Sequence, residues 1–333
     1  MKCIIAKENP MMLDLILKEY AAFYRKQFDE DLSDYIHSKY GTFLASPHTI
    51  VVINEGEDSY PIGIVHLGII NDWGEIRLFY MRPTFFSKDS FTSLWLAITA
   101  HFPHKVKRIV FQSRLLAVPP YSQIPEFDIV FTNYTRSEYS LDVASYALKG
   151  ENSIFDLTPV VPTDKKSLGF LCFLTFKNSL EYDIIPYYQN IDYAQALIKN
   201  ITNNSMGVFL QDISFVVKKD AIPVGLILAS KLKDNKVLLL VFGMFESLRG
   251  KGYGKALLHT YLLRVKEHNY AGITLTVTEE NASAVALYTA AGFTKGSAFP
   301  LFIHEIVKRP ERLPKHTVTT FEPETIHTKR KGR

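Results

Sequence analysis

The stretch from Val237 to Leu258 carries the residue types best suited to holding an anion. An apolar run that favours a strand is followed by a loop containing Gly250, Gly252 and Gly254, and then by a helical pattern. A helix N-terminus presents unpaired backbone N–H groups and the positive end of the helix dipole, and glycines let an anion come close to the backbone. The stretch therefore predicts a site for a phosphate-bearing ligand, the alternative being a tight turn without a ligand.

The spacing of the glycines excludes two common phosphate-binding loops. The dinucleotide fingerprint needs G-x-G-x-x-G and the P-loop needs G-x-x-x-x-G-K-[ST], and this loop has neither. Its order, Arg249-x-x-Gly252-x-Gly254, resembles the R/Q-x-x-G-x-G/A signature of the GNAT superfamily of acyl-CoA-dependent N-acyltransferases. In that superfamily the loop cradles the pyrophosphate of coenzyme A.

A second motif follows the next predicted strand. The run Ile273–Thr278 alternates apolar residues with threonines, as a half-buried strand does. After it, Asn281 is suited to begin a helix and Gly292 to end it. The GNAT family carries N-x-x-A-x-x-L-Y-x-x-x-G-F at this place, which this chain reproduces with Asn281, Ala284, Leu287, Tyr288, Gly292 and Phe293.

The resemblance implies a cosubstrate and the roles of individual residues. The cosubstrate is acetyl-CoA, and neither a metal nor a covalent nucleophile is required. Tyr288 is expected near the sulfur as the general acid, since an unperturbed phenol has a pKa of about 10 and can protonate a thiolate at neutral pH. The alternative for Tyr288 is packing in the core. The residues expected to bind the cofactor are Met244, Phe245, Arg249, Gly250, Lys251, Gly252, Tyr253, Gly254, Lys255 and Asn281.

The resemblance does not identify a general base. Many family members place a glutamate on the fourth or fifth strand, but Lys236–Phe245 contains no carboxylate and the fifth strand offers only threonines. We expect the proton to leave through a chain of waters or to a residue from elsewhere in the chain. Titratable residues near the strand ends, each also explained as a solvated or structural group, are Glu246, Glu279, Glu280 and His259.

The N-terminal half predicts an order of elements like that of the GNAT fold. We therefore expect residues 1–150 to form a second domain of similar design, the alternative being an unrelated α/β module. The predicted elements are two helices within residues 11–40, a hairpin of His48–Ile53 and Pro61–Ile70, a strand Gly74–Met81, a helix Ser90–His101, a strand Val106–Gln112 and a closing pair, Phe127–Thr132 and Tyr139–Val143.

This N-terminal domain lacks the glycine loop. Aligned on the strand ends, Phe86, Asp89 and Phe91 stand where the other half has Arg249, Gly252 and Gly254. Side chains would fill the phosphate site, and the carboxylate would repel a phosphate. We expect a degenerate domain that does not bind coenzyme A.

Residues 151–307 are expected to form the acetyl-CoA-binding domain, after a linker within residues 144–166. The fold class is α/β (α+β), and each domain is expected to have a mixed, mostly antiparallel sheet flanked by helices. The predicted elements here are a first strand Leu168–Lys177, a helix Asp192–Ile201, and strands Phe215–Asp220, Pro223–Ser230 and Lys236–Phe245.

Composition is that of an ordinary soluble globular protein, with 333 residues, 47% hydrophobic and 22% charged. The length favours two domains. No apolar run reaches the length of a membrane span and the N-terminus has no signal-peptide pattern, so we expect a cytoplasmic protein. Cys3 and Cys172 are far apart in apolar settings, which predicts buried free thiols.

The net charge of +4 is concentrated in the last residues. Residues 308–333 contain eight Lys or Arg against three Glu, so they carry +5 and the rest of the chain about −1. We expect a basic, poorly ordered tail. A nearly neutral body disfavours a nucleic-acid-binding face.

The sequence thus predicts an N-acetyltransferase that transfers an acetyl group to a primary amine by direct attack in a ternary complex. The acceptor, a small molecule or a protein, is not predicted, and the chain is expected to be a monomer or homodimer. The alternative function is a non-catalytic acyl-CoA sensor or protein-interaction module, favoured by the missing base and the degenerate first half. A longer acyl donor also stays open.

Overall fold

The computed structural model describes residues 1–55, 59–144, 146, 154–232 and 234–307. It divides into two compact units, one formed by Met1–Thr132 with the residues from Phe302 onward, and the other by Asn133–Leu301. The predicted tail, residues 308–333, and much of the predicted linker lie outside the described residues. In the described part of the chain no helix is long and apolar enough to cross a membrane.

The first unit is a sheet with the strand order β1-β2-β3-β4-β5, in which only β4 and β5 are parallel. Helix α1 begins where the sequence provides a cap, because the side chain of Asn9 accepts from the Met12 N–H at 3.2 Å and Pro10 occupies the first turn. The elements are β1 (Lys2–Ile5), α1 (Pro10–Phe28), α2 (Ser33–Ala45), β2 (Thr49–Asn54), β3 (Tyr60–Ile70), β4 (Trp73–Met81), α3 (Lys88–His101) and β5 (Arg108–Gln112).

The second unit contains the remaining helices and strands, except for the last residues of β13. Their sheet order is β13-β6-β12-β11-β10-β9-β7, with β8 paired to β10, and β11 and β12 are a parallel pair. The elements are β6 (Thr132–Asp142), β7 (Asp156–Pro159), α4 (Lys165–Phe176), α5 (Leu180–Ile184), α6 (Ile191–Thr202), β8 (Val208–Phe209), β9 (Phe215–Lys219), β10 (Ile222–Lys231), β11 (Lys236–Met244), α7 (Tyr253–Glu267), β12 (Gly272–Thr278), α8 (Ala282–Ala290) and β13 (Thr294–Glu305).

Both faces of this second sheet are covered by helices. One core contains α7 residues such as Leu258 and Tyr261 together with Leu275 of β12. The other contains Leu168 of α4 and Ile198 of α6. The predicted fold class, a mixed and mostly antiparallel sheet flanked by helices, is confirmed.

The prediction of a strand at Leu168–Lys177 was wrong, because this segment lies in α4. Its apolar residues are almost all Leu and Phe, which are not branched at Cβ and suit a helix as well as a strand. The Asp164 side chain caps the helix by accepting from the Ser167 N–H at 3.1 Å. The first strand of this region is β7, which lies inside the stretch predicted as a linker.

The predicted closing pair was also wrong, because Thr132–Asp142 is one continuous strand, β6. This strand pairs antiparallel with β12 from Arg136 opposite Thr278 to Asp142 opposite Gly272. The unit division at Asn133 therefore lies before the expected boundary at residue 150. Strand β13 spans the other division, since its residues from Phe302 belong to the first unit.

The two cysteines are free and buried, as predicted. Burial raises the pKa of the Cys3 and Cys172 thiols to about 12. Both are therefore packing groups rather than reactive thiols at neutral pH.

Candidate functional site

Strands β11 and β12 separate at one end and open a cleft. Their parallel pairing runs from Lys236 opposite Gly272 to Leu239 opposite Leu275, and β11 then continues to Met244. At the point of separation Leu240 is an extra residue in the pairing of β11 with β10, a β-bulge of the kind that bends a strand. The cleft has a volume of about 630 Å³.

The glycine loop lines this cleft and leads into α7. Gly250 and Gly252 have φ values of 72° and 78°, a left-handed conformation that glycine adopts at no steric cost. Gly252 is the N-cap of α7 and supplies no side chain to the first turn. The first N–H groups of a helix have no acceptors within the helix, so this end of α7 is suited to bind an anion.

Arg249 lines the cleft and is also hydrogen-bonded to the end of α4. Its Nη2 donates to the carbonyl oxygens of Thr175 at 2.6 Å and Lys177 at 3.2 Å, and its Nε donates to Met244 O at 3.4 Å. These carbonyls at the end of α4 have no N–H partner within the helix, and a positive charge near them is favoured by the helix dipole. Arg249 thus joins the glycine loop to the C-terminus of α4.

Asn281 caps α8 and also holds a carboxylate. Its Oδ1 accepts from the Ala284 N–H at 3.1 Å. Its Nδ2 donates to both oxygens of Glu181, at 2.9 and 3.0 Å. The amide therefore fixes the orientation of Glu181, a half-buried residue of the short helix α5 that lines the cleft.

Tyr288 also lines the cleft, and only 8% of its surface is exposed. Its ring packs against Phe242 and Phe293, with centroid distances of 6.3 and 5.4 Å. Burial, and secondly the carboxylate of Glu181, raise the pKa of the Tyr288 phenol. The phenol therefore keeps its proton at neutral pH and sits in the same cleft as a carboxylate.

The structure brings most of the predicted site residues together. Three of them do not line the cleft. The Lys251 ammonium donates to Ser247 O at 2.9 Å, the Phe245 N–H donates to Val224 O at 2.8 Å, and the Tyr253 ring packs on Phe155. Those that do line it are Met244, Arg249, Gly250, Gly252, Gly254, Lys255, Asn281 and Tyr288.

The titratable residues predicted near the strand ends do not provide a half-buried base in the cleft. Glu246 is exposed and accepts from Asn178 Nδ2 at 2.7 Å. Glu279 pairs with Lys295 at 2.5 Å, and the His259 ring is bonded to the Tyr146 hydroxyl at 2.9 Å. Glu280 lines the cleft but is exposed, and it accepts from a backbone N–H.

Sequence reasoning missed Glu181. The residue lies 100 positions before Asn281 in the chain, and the five-residue helix that carries it matches no motif. The available signal was the N-cap Ser179, whose side chain accepts from the Tyr182 N–H and indicates a helix start. That signal locates a helix but not what the helix faces.

The corresponding place in the first unit is filled by the chain itself. The N-terminus of α3 is closed by a capping box, in which Ser87 and Ser90 each bind the other's backbone N–H. Phe86 and Phe91 are buried in an aromatic cluster, and the Tyr121 hydroxyl donates to Met81 O at the end of β4. Here the helix N-terminus and the strand end both have partners within the unit.

Comparison with known proteins gives a match in the second unit. The Acetyltransferase (GNAT) family profile matches residues 177–293. No curated protein matches the chain. Within the described residues, no cluster of three or more His, Cys, Asp or Glu is placed to hold a metal ion.

Two solved structures have a similar fold. A GCN5-related N-acetyltransferase from Sphaerobacter thermophilus has a TM-score of 0.62 at 13% identity, with 91% of this chain and 94% of that chain covered. A GCN5-related glucosamine N-acetyltransferase region of a fungal multi-domain GH3 β-N-acetylglucosaminidase has a TM-score of 0.61 at 12% identity, with 87% of this chain and 37% of that chain covered. At these identities the likeness concerns the fold. Residues 177–293, which carry the glycine loop and the motif from Asn281 to Phe293, belong to the acetyltransferase (GNAT) family.

Proposed function

We propose that this chain is an acetyl-CoA-dependent N-acetyltransferase that transfers the acetyl group directly to a primary amine in a ternary complex. The observation that carries the proposal is the lining of one cleft. It combines a glycine loop that opens a helix N-terminus, the carboxylate of Glu181 and the protonated phenol of Tyr288. Direct acyl transfer needs a bound donor, a proton acceptor for the amine and a proton donor for the thiolate.

Each group then has one task. The backbone N–H groups at the start of α7 bind the pyrophosphate, and the end of β11 that has parted from β12 offers backbone groups to the pantetheine arm and the thioester carbonyl. Glu181 takes a proton from the amine as its nitrogen bonds to the carbonyl carbon. The carbon–sulfur bond breaks, and Tyr288 donates its proton to the leaving sulfur and is reprotonated by solvent.

Glu181 supplies the base that the sequence motifs lack. Glu181 is the half-buried carboxylate of the cleft. The Asn281 amide orients it by two hydrogen bonds and is itself uncharged. The missing base was the reason to consider a non-catalytic acyl-CoA sensor. With a carboxylate and a phenol in the same cleft, catalysis is the function that we favour.

We further propose that the first unit does not bind coenzyme A. Its counterpart of the phosphate site has a closed capping box and two buried phenylalanines, Phe86 and Phe91. An anion there would have to displace the partners of these backbone groups, at a cost of about 1 kcal/mol for each neutral hydrogen bond. Titration should therefore give one acetyl-CoA per chain.

The test of the site is a charge placed on the glycine loop. Gly254 is the better position, because its φ is not in the left-handed region and an added Cβ would lie 3.6 Å from the nearest atom of Leu287, an ordinary contact. Gly254→Glu puts a carboxylate in the first turn of α7, which helps the helix but repels a phosphate. We expect acetyl-CoA binding, measured by isothermal titration, to weaken at least about 100-fold.

Gly41→Glu is the matched control, since Gly41 lies in α2 with open space around its Cβ position. It should bind acetyl-CoA like the wild type. Equal binding by Gly254→Glu would contradict the site. Saturable binding by the wild type with slow thioester hydrolysis, and no acetylation of any amine in a broad panel, would favour a sensor over an enzyme.

A further inference from the structure

Arg136 is a buried cation to which the proposed mechanism gives no role. It lies on β6 directly opposite Thr278, the last residue of β12. Its Nε is enclosed and has no hydrogen-bond partner in the described part of the chain, while the residue as a whole keeps some accessible surface. Buried arginines are normally paired, so an incompletely paired one indicates a missing partner.

The groups around Arg136 do not neutralise it by direct contact. Its Nη1 donates to the Thr278 hydroxyl at 3.3 Å, a neutral acceptor. Burial lowers the pKa of Arg136, and the nearby Tyr188 and Glu181 act in the opposite direction. Tyr188 is a buried phenol that stays neutral, because burial raises its pKa, and Glu181 forms no salt bridge with Arg136. The guanidinium therefore retains capacity for an anionic oxygen.

Arg136 is not itself among the residues that line the cleft, but it is joined to their immediate neighbours. The Thr278 hydroxyl that it binds belongs to the residue just before the turn that carries Glu280 and Asn281, both of which line the cleft. The Thr135 N–H, next to Arg136 in the chain, donates to Glu280 at 3.1 Å. The charge of Glu181 acts to raise the pKa of both Arg136 and Tyr288. A group bound at Arg136 would thus be close to the amine that Glu181 deprotonates.

We propose that the acceptor carries a carboxylate on the same small skeleton as its amine, as an amino acid does, and that Arg136 binds this carboxylate. This inference rests on the proposed function and assigns its substrate class. A planar guanidinium matches the two oxygens of a carboxylate, and such charge-assisted pairs are stronger than neutral hydrogen bonds. A phosphate on the acceptor has the same chemistry from another source, which the experiment separates.

The experiment compares amino acids with the amines that lack only the carboxylate. Pairs such as tyrosine with tyramine and histidine with histamine are assayed for acetylation by the full-length protein, with phosphoethanolamine against ethanolamine as the phosphate arm. The wild type should prefer the amino acid by about 10- to 100-fold in kcat/KM, the range expected for a hydrogen bond to a charged group. In Arg136→Gln the ratio should fall to about 1.

The ratio separates recognition from a structural role. If Arg136 only supports the fold or the charge of Glu181, Arg136→Gln lowers kcat/KM for both members of a pair equally, and the proposal is overturned. If Arg136→Gln does not fold, Thr278→Val, which removes only the hydroxyl that holds the guanidinium, should reduce the same ratio. A preference for phosphoethanolamine alone would also overturn the carboxylate assignment.

A binding measurement keeps this inference distinct from the proposed function. Amino acids should raise the melting temperature of the coenzyme A-saturated wild type but not of Arg136→Gln, whether or not acetyl transfer occurs. Preferential binding without transfer would contradict the enzyme and leave the carboxylate site intact. Acetylation of amines and amino acids at equal rates would support the enzyme and contradict the carboxylate site.

Discussion

At the level of single residues, the roles that we propose for Glu181 and Tyr288 require opposite protonation states in one cleft. A proton acceptor must stay ionised and a proton donor must stay neutral, although both are removed from bulk water. The Asn281 amide donates two hydrogen bonds to the carboxylate, whereas burial disfavours ionisation of the phenol. The two environments suit the roles that we propose for these residues in acyl transfer.

Tyr288→Phe should lower kcat by about 100-fold and leave the affinity for acetyl-CoA nearly unchanged, because the ring packing stays and only the acidic proton is lost. Tyr261→Phe makes the same chemical change at a fully buried tyrosine of α7 that does not line the cleft. This control should have wild-type kinetics. Unchanged turnover in Tyr288→Phe would remove the phenol from the mechanism.

Glu181→Gln should lower kcat/KM for the amine by about 100-fold while preserving acetyl-CoA binding, since Gln keeps the shape but cannot accept a full proton. Glu246→Gln, at an exposed carboxylate of the same region, is the control. Unchanged kcat/KM in Glu181→Gln would exclude Glu181 as the base.

At the level of elements, Arg249 links the glycine loop to the helix that precedes α5. Arg249→Lys removes the guanidinium nitrogen that donates to the carbonyl oxygens of Thr175 and Lys177. We therefore expect the free energy of unfolding to fall by about 1–2 kcal/mol. Because α5 carries Glu181, KM for the acceptor should rise more than the Kd of acetyl-CoA. Arg264→Lys, at an exposed residue of α7, should change neither value. The opposite ranking of the two effects would assign Arg249 to the pyrophosphate.

In the first unit, β2, β3 and α3 meet around three histidines. His48 and His101 are hydrogen-bonded at 3.0 Å, and His66 is bonded to Thr49. Burial, and secondly a neighbouring charge or histidine, lowers the pKa of His66 and His101 to about 4 from 6.5. The unfolded chain then binds more protons than the folded one between these values.

Stability should therefore be full above pH 6.5 and decline as the pH falls towards 4, by about 3 kcal/mol for each of the two histidines. Denaturant unfolding across this window measures the decline, which His101→Gln should reduce. The exposed His37 of α2 provides the control substitution, His37→Gln, which should keep the wild-type slope. An unfolding free energy independent of pH in this range would contradict the buried histidines.

At the level of the whole molecule, the compact units do not follow the chain halves. Strand β6 belongs to the second unit, where it pairs with β12 over seven residues from Arg136 to Asp142. The residues from Phe302 belong to the first unit, and Phe302 is buried in its core. Each unit thus includes residues from the other half of the sequence, namely β6 in the second unit and the end of β13 in the first.

A fragment of residues 151–307, the domain expected from the sequence, should therefore be unstable, because one edge of β12 loses its partner. A fragment of residues 133–301 keeps β6 and should fold better. Circular dichroism melting and gel filtration of the two fragments measure the difference. Equal stability of both would show that β6 is dispensable for the second unit.

Much of the architecture was readable because local patterns decide it. The hairpin of β2 and β3, the helices α1 and α3, and the strand leading into the glycine loop follow from periodicity and capping residues. The apolar run at Leu168 was misread because apolar residues without a branch at Cβ suit either a helix or a buried strand. Packing against α6, in which Gly169 lies against Gln195, is what selects the helix α4 over a strand.

By itself, the sequence determined the glycine loop, the motif from Asn281 to Phe293 and the family, because these depend on short spacings along the chain. It also predicted that the first unit lacks an equivalent loop. The tertiary structure alone placed Glu181 beside Asn281, turned Arg249 towards α4 and left Arg136 incompletely paired. The physical reason is that these arrangements depend on contacts between residues far apart in the chain, and no local pattern of side chains encodes such a contact.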